Sequence, residues 1–266
     1  MKGRILTIAG TDPSGGAGIQ ADIKTITSLR GYATSAITAL VVQNTLGVEK
    51  ILSIDEELVG EQMQCVINDI GVDAVKTGML HTASLIEKIC DVLSNYDYEF
   101  PLIVDPVMVA KSGDFLLEKD AFSVLKKKLI PKATIVTPNN YEAEILIGKK
   151  IVSDDDAINA GREILSFGAK SVLMKGGHRL GLKVRDILVS SEGIEIIESP
   201  RLDSSNTHGT GCTLSSAIAT GIGQGMDLLT SVKRAHKYVH NALKFAPQLG
   251  KGNGPLNHVH NYIIKE

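Results

Sequence analysis

The sequence predicts an α/β protein with a mostly parallel central sheet and helices on both faces, and three observations carry that expectation. Short apolar runs alternate with longer amphipathic ones along the whole chain. Runs such as LIVD at 102–105 and TIVT at 134–137 are continuously apolar up to their last residue, as strands covered on both faces are. No Pro/Gly/Ser linker, composition shift or internal repeat divides the chain, so one domain over residues 1–266 is expected.

The elements follow in order. Arg4–Ala9 reads as a buried strand, Ile19–Leu29 as a helix and Ser35–Val42 as a second strand. Apolar spacing at Leu58, Val59, Met63, Val66 and Ile67 predicts a helix over Glu56–Asn68. Ala74–Thr77 is a strand, Ala83–Leu93 a helix, Leu102–Val104 a strand ending at Asp105, Ala121–Leu129 a helix and Thr134–Val136 a strand. Ser153 and Asp156 form a capping box that opens a helix to about Phe167, with Gly168 just past its end. Ser171–Met174 is a strand, Asp186–Val189 and Ile194–Ile197 a hairpin, and Thr213–Gly221 and Leu228–Phe245 the last long helices.

Composition excludes several classes of function. Among 266 residues, 43% are hydrophobic and 22% charged, which excludes a disordered chain. A net charge of −2, no Trp and 4% aromatic residues argue against nucleic-acid binding. Cys65, Cys90 and Cys212 are too scattered for a disulfide framework, and no CxxC occurs, which points to a reducing compartment. The apolar run Ile5–Ala9 is too short for a signal sequence, and Ala36–Val42 is too short to span a bilayer. A soluble, cytoplasmic protein with no membrane partner is expected.

In open α/β sheets ligands gather beyond the carboxyl ends of the strands. Here those ends carry Gly and polar clusters: Gly10–Gly18, Gln43-Asn44-Thr45, Lys76–Met79, Asp105–Met108, Thr137–Asn140 and Lys175–His178. The sharpest is Asn206–Thr213, with Gly209, Thr210 and Gly211 leading into an Ala/Ser-rich helix. Glycines at a helix start leave backbone N–H groups for an anion, and the helix dipole adds positive potential; a plain Gly-rich cap is the alternative. Cys212 stands in the first turn, where a helix N-terminus lowers a thiol pKa, so it reads as a base or nucleophile, or as a small packing residue. Asn139 and Glu142 are placed either to hold Mg²⁺ through water or to cap a helix. Lys175 is placed to meet phosphates or to sit solvated on a turn. His236 and His240 have metal spacing but no third ligand. There is no P-loop, no GxGxxG, no GxSxG and no HExxH.

Together AGTDPSGGAGIQADIKT, SAITALVVQNTLGV, VKTGML, VDPVMVAKSG, TPNNYEAE, LMKGGH and NTHGTGCTLSSAIA resemble the hydroxymethylpyrimidine/phosphomethylpyrimidine kinases of thiamine biosynthesis, within the ribokinase-like superfamily. The resemblance runs from about Leu6 to about His258. It implies a three-layer α/β/α sandwich, usually a homodimer, that uses ATP and Mg²⁺, with K⁺ an open third. The implied substrates are 4-amino-5-hydroxymethyl-2-methylpyrimidine and its monophosphate. It further implies Cys212 as base beside the Gly209–Gly211 anion hole, Lys175, Asn139 and Thr207 at the nucleotide, and Glu142 and Asp105 at Mg²⁺. Gln43, Asp22, Gly10, Met79 and Val107 would line the pyrimidine pocket, and Val109–Phe115, with Lys111 and Gly113, would form a lid. Gln43 can pair in two bonds with an aminopyrimidine edge. Two departures stand out: Thr11-Asp12-Pro13 replaces the commoner Ser-Asp-Ser, and Arg30 stands where a small residue is commoner. The nearest rival is a pyridoxine/pyridoxal kinase, or an enzyme with both activities. A non-catalytic pyrimidine sensor would not need Cys212 beside an intact glycine turn, and sugar and nucleoside kinases carry Asp at that position.

Overall fold

A computed structural model describes residues 2–97, 99–109, 116–177 and 181–262. Eight strands form one sheet in the order β10-β9-β8-β7-β6-β5-β1-β2. Strands β1 (Arg4–Ala9), β2 (Tyr32–Ile37), β5 (Ala74–Thr77), β6 (Leu102–Val104), β7 (Ile135–Val136) and β8 (Ser171–Met174) are mutually parallel. The hairpin β9 (Lys183–Ser190) and β10 (Gly193–Pro200) extends the sheet antiparallel at one edge.

Period-two alternation within these strands builds two cores. Leu6, Ile8, Val75, Leu102, Val104, Val136, Val172 and Met174 face one side, where they meet α2 (Glu56–Asp69), α3 (Ala83–Ser94) and α6 (Asp154–Leu165). Ile5, Ala74, Ile103, Ile135, Leu173 and Leu188 face the other, where they meet α1 (Gly18–Ser28), α7 (Thr210–Gly223) and α8 (Leu228–Lys244). The central strands β6 and β7 are apolar throughout because both of their faces are covered, and the expected three-layer α/β/α sandwich is what the chain forms. Among the described residues no helix is long and apolar enough to cross a membrane.

The expected single strand Ser35–Val42 is in fact two. β2 ends at Ile37, and after Thr38 the chain leaves the main sheet as β3 (Ala39–Gln43), which pairs with β4 (Val48–Ser53) in a separate two-stranded sheet. The Thr38 amide still donates to Ala9 O and its hydroxyl to Met79 O, so the break is fixed at the carboxyl ends of β1 and β5. The missed β4 has a half-exposed pattern with little continuous apolarity, which explains its weak signal. Helix α4 (Ala121–Val124) turns π-helical over Leu125–Leu129 and closes as 3₁₀ at Ile130–Lys132, where Pro131 removes a donor. The helix placed at Thr213 begins three residues earlier, at Thr210. α5 (Asn140–Ile147) completes the set.

Candidate active site

The parallel strands deliver their carboxyl ends to one edge, and a cavity of about 760 Å³ opens there. One lobe is walled by Gly10, Val41, Gln43, Met79, Val107 and Leu116. The other is walled by Val184, Pro200, Leu202, His236, Val239 and Leu243. Between them stand Asp105, Asn139, Glu142, Lys175, Thr207 and the run Gly209–Cys212. All the expected site residues line this cavity except Asp22.

The run Gly209–Cys212 is the start of α7. Gly209 is its cap, at φ 80°, and no side chain caps the helix. A helix start that no side chain caps is the arrangement that holds anions; here the Thr210 amide also donates to Thr207 O at 3.4 Å. Gly209 must be glycine: its φ is left-handed, and a Cβ there would collide with the carbonyl oxygen of Gly16. Two loops far apart in sequence thus interlock backbone to backbone. Asp12 closes the lock: its carboxylate accepts from the Ser14, Gly16 and Ala17 amides, from Ser14 Oγ, and from His208 Nε2 at 2.7 Å. Burial pushes the Asp12 carboxyl up, but the bonds from His208 and Ser14 and the backbone amides bring it down to about 2.

Lys175 follows β8, and its Nζ lies 2.8 Å from Asp105 and 3.5 Å from Glu142. Burial works against this ammonium, yet the two carboxylates hold its pKa well above the usual lysine value. Asp105 also accepts from Thr137 Oγ1 and Ser215 Oγ. Asn139 and Glu142 form a capping box at the start of α5, with Glu142 Oε2 on the Asn139 amide at 2.7 Å. Capping is thus real here, and it also fixes a carboxylate in the cavity wall. Burial pushes the Glu142 carboxyl up to about 7, with Lys175 pulling the other way. The Asp105 and Glu142 carboxylates offer oxygens, which suits a hard divalent cation that arrives with its own waters and phosphates. A group of three or more His, Cys, Asp or Glu side chains able to cage a metal is absent among the described residues. His236 instead pairs through Nδ1 with Asp186 Oδ2 at 2.7 Å, while Asp186 Oδ1 accepts from the Gly176 amide, so α8 is tied to the turn after Lys175.

Two expectations are corrected. Cys212 lies in the first helical turn, but its thiol is not acidified: burial pushes it up to about 11, outweighing the nearby Lys76 ammonium. Asp22 does not reach the cavity. It is fully buried behind the wall, where it takes Lys76 Nζ on both oxygens at 2.9 Å and the hydroxyls of Thr7 and Ser216. The expected lid, Val109–Phe115 with Lys111 and Gly113, lies outside the described residues beyond Val109, as does His178. The pairs Lys76–Asp22, Asp12–His208 and Asp186–His236 were not anticipated, although Lys76, Asp12 and His208 stood in the ligand clusters read from the sequence. Lys76 lies inside β5 and is fully buried there, not at an open strand end.

Comparison with known proteins agrees with this geometry. The phosphomethylpyrimidine kinase family model matches residues 12–257. A hydroxymethylpyrimidine/phosphomethylpyrimidine kinase of Staphylococcus aureus is 41% identical over 98% of this chain and 95% of its own. A thiamine biosynthesis bifunctional protein of Geobacter sulfurreducens is 47% identical over 97% of this chain, which spans only 52% of that longer protein. Among solved structures, a Bacillus subtilis pyridoxal kinase in complex with ADP superposes with a TM-score of 0.91 at 34% identity, covering 98% of this chain and 99% of that one. A Clostridium difficile phosphomethylpyrimidine kinase superposes at 0.80 with 42% identity, covering 91% and 99%. With a family model spanning nearly the whole chain and relatives above 40% identity along most of it, the chain belongs to the phosphomethylpyrimidine kinase family.

Proposed function

We propose that the chain transfers the γ-phosphoryl group of ATP to the hydroxymethyl oxygen of 4-amino-5-hydroxymethyl-2-methylpyrimidine, and then a second phosphoryl group to the resulting monophosphate. The observation that carries this reading is the junction of the two lobes. An uncapped helix start, a buried lysine and two carboxylates meet there, between the wall that holds Gln43 and Met79 and the wall that holds His236 and Leu243. The relatives above 40% identity act, by name, on these pyrimidines.

The chemistry asked of the protein is positioning and charge neutralisation. The substrate hydroxyl gives its proton to Cys212 Sγ as its oxygen bonds to the γ-phosphorus. The bond from that phosphorus to the β–γ bridging oxygen breaks, and ADP leaves with that oxygen. Amides of Gly209, Thr210 and Gly211 face the phosphoryl oxygens as charge redistributes. Lys175 meets the nucleotide phosphates, with Asn139 and Thr207 beside them. Asp105 and Glu142 would hold Mg²⁺ through its waters, and that ion supplies neutralisation of phosphate charge. Gln43 pairs with the amino and ring-nitrogen edge of the pyrimidine. Gly10, Met79 and Val107 pack against its ring.

A homodimer is supported by β3 and β4. Ala39, Val41 and Ile51 face the cavity side, with Met79 and Leu116. Leu40, Val42 and Leu52 share the opposite face and are about half exposed, at 47%, 50% and 57%. Such a patch, beside the pocket and on a sheet with open edges, suits a second copy of the chain. A cytoplasmic location accords with the free thiols.

Pyridoxal phosphorylation is the second reading, favoured by the 0.91 superposition on a pyridoxal kinase. An ADP-release assay against the hydroxymethylpyrimidine, its monophosphate and pyridoxal tests both. Turnover of both pyrimidines at a higher kcat/KM than pyridoxal is expected. Pyridoxal alone as substrate would overturn the first reading.

A further inference from the structure

Lys76 is among the largest side chains that the fold buries completely. Its ammonium has one hydrogen-bond partner among the described residues, the Asp22 carboxylate, at 2.9 Å from both oxygens. A buried ion pair of this kind adds little stability over two apolar side chains of the same size, because desolvation offsets the attraction. Its location is what distinguishes it. A Cβ placed on Gly78, a residue of the cavity wall, would stand 2.9 Å from Lys76 Nζ, so the ammonium lies directly under the floor of the pocket. Asp22 in turn accepts from Ser216 Oγ at 2.7 Å, and Ser216 is one helical turn below Cys212 on the same face of α7. The pair is thereby fixed between the pocket floor and the helix that carries the proposed base.

Two ammonium groups, Lys76 on β5 and Lys175 after β8, favour a thiolate at Cys212, and two carboxylates, Asp22 on α1 and Asp105 after β6, oppose one. Lys175 already serves Asp105 and Glu142, and in the proposed reaction it also meets phosphates. Lys76 serves Asp22 alone and never meets solvent, so its field is not screened by water. Resting on the reading of Cys212 as base, we propose that Lys76, held by Asp22, is a positioning residue that stabilises the negative charge Cys212 carries when it accepts the substrate proton.

The test follows Cys212 directly, in a Cys65→Ser/Cys90→Ala background where it is the one thiol left. Its rate of alkylation by iodoacetamide is measured against pH, alongside kcat and both KM values. In Lys76→Met the alkylation profile should move up by about one pH unit, a tenfold smaller thiolate fraction at a given pH. Turnover should fall about tenfold, with KM for ATP and pyrimidine within twofold. Lys76→Arg, which keeps the charge, should recover most of both. If Lys76→Met fails to fold for want of a partner to Asp22, Asp22→Asn/Lys76→Met leaves no unpaired charge and should show a smaller upward move, because it also removes a carboxylate that opposes the thiolate. An unmoved alkylation profile in either folded variant would overturn the proposal and leave the pair a structural one. A moved profile with unchanged turnover would uphold the effect on Cys212 while removing Cys212 as the base, so the two readings fail separately.

Discussion

At the level of single residues, Cys212 carries the sharpest consequence. A base must be unprotonated to accept a proton, and burial places this thiol at about 11. The kcat/KM of the enzyme should therefore climb with pH from 7 towards 10 with a slope near one in the logarithm; a plateau by pH 8 would remove Cys212 as the base. Cys212→Ser nearly keeps the volume but raises the group's pKa further, so kcat should drop by roughly 10²–10⁴-fold while ATP still binds through backbone amides. Cys212→Asp should recover part of the rate and flatten the climb with pH. In the pyrimidine lobe, Gln43 ends β3 at a register shift that presents its amide to the pocket. Gln43→Leu would leave substrate polar groups unpaired at about 1–3 kcal/mol each. A tenfold or greater loss in kcat/KM for the pyrimidine is expected, read against an unchanged KM for ATP.

At the level of elements, the start of α7 is decided by contact between loops. Gly209 combines a left-handed φ of 80° with a backbone approach to Gly16 that no side chain can share. Gly209→Ala should cost roughly 1–3 kcal/mol. It should also push the anion-binding turn off the first loop, so thermal unfolding should come earlier and ATP turnover should nearly vanish. A variant with normal turnover would show that the interlock does not set the turn. The two-stranded sheet β3–β4 makes its own prediction. Charging its exposed face by Leu40→Lys/Leu52→Lys should leave the fold intact and yield a monomer in analytical ultracentrifugation, where the parent chain is expected to sediment as a dimer. A parent that sediments as a monomer would remove the dimer reading.

Across the whole molecule, Asp12 couples stability to pH. Its carboxyl lies at about 2 in the folded chain against an ordinary value of 3.8, so the folded state holds the ionised form more firmly than the unfolded state does. That difference amounts to about 2 kcal/mol. The sign follows from the lowered pKa: the contribution is complete above pH 3.8 and is lost as pH falls through 2. Urea unfolding of the parent and Asp12→Asn should therefore differ most at neutral pH and converge by pH 2; an equal gap at both would exclude the carboxylate as the source.

Strand–helix alternation and the doubly apolar strands were legible because a parallel sheet covered on both faces writes itself into every strand, as Ile5 and Leu6 or Ile103 and Val104 do by facing opposite cores. The glycine turn before α7, the capping box of Asn139 and Glu142 and the position of Lys175 were legible for a similar reason. Helix starts and strand ends are local events with local residue preferences. What stayed hidden depended on partners distant in sequence. The break at Thr38 is made by bonds to Ala9 and Met79. Asp12 needs His208, 196 residues away. Asp22, expected on the pocket wall, is turned behind it by Lys76, 54 residues on. The Cys212 thiol shows the division most plainly. Its place in the first turn of a helix is a property of the local sequence and favours a low pKa. Its burial, and the charges of Lys76, Asp22 and Asp105 that act on it, exist only once strands and helices have packed, and desolvation by that packing outweighs the Lys76 ammonium and the Gly18 amide and raises the thiol.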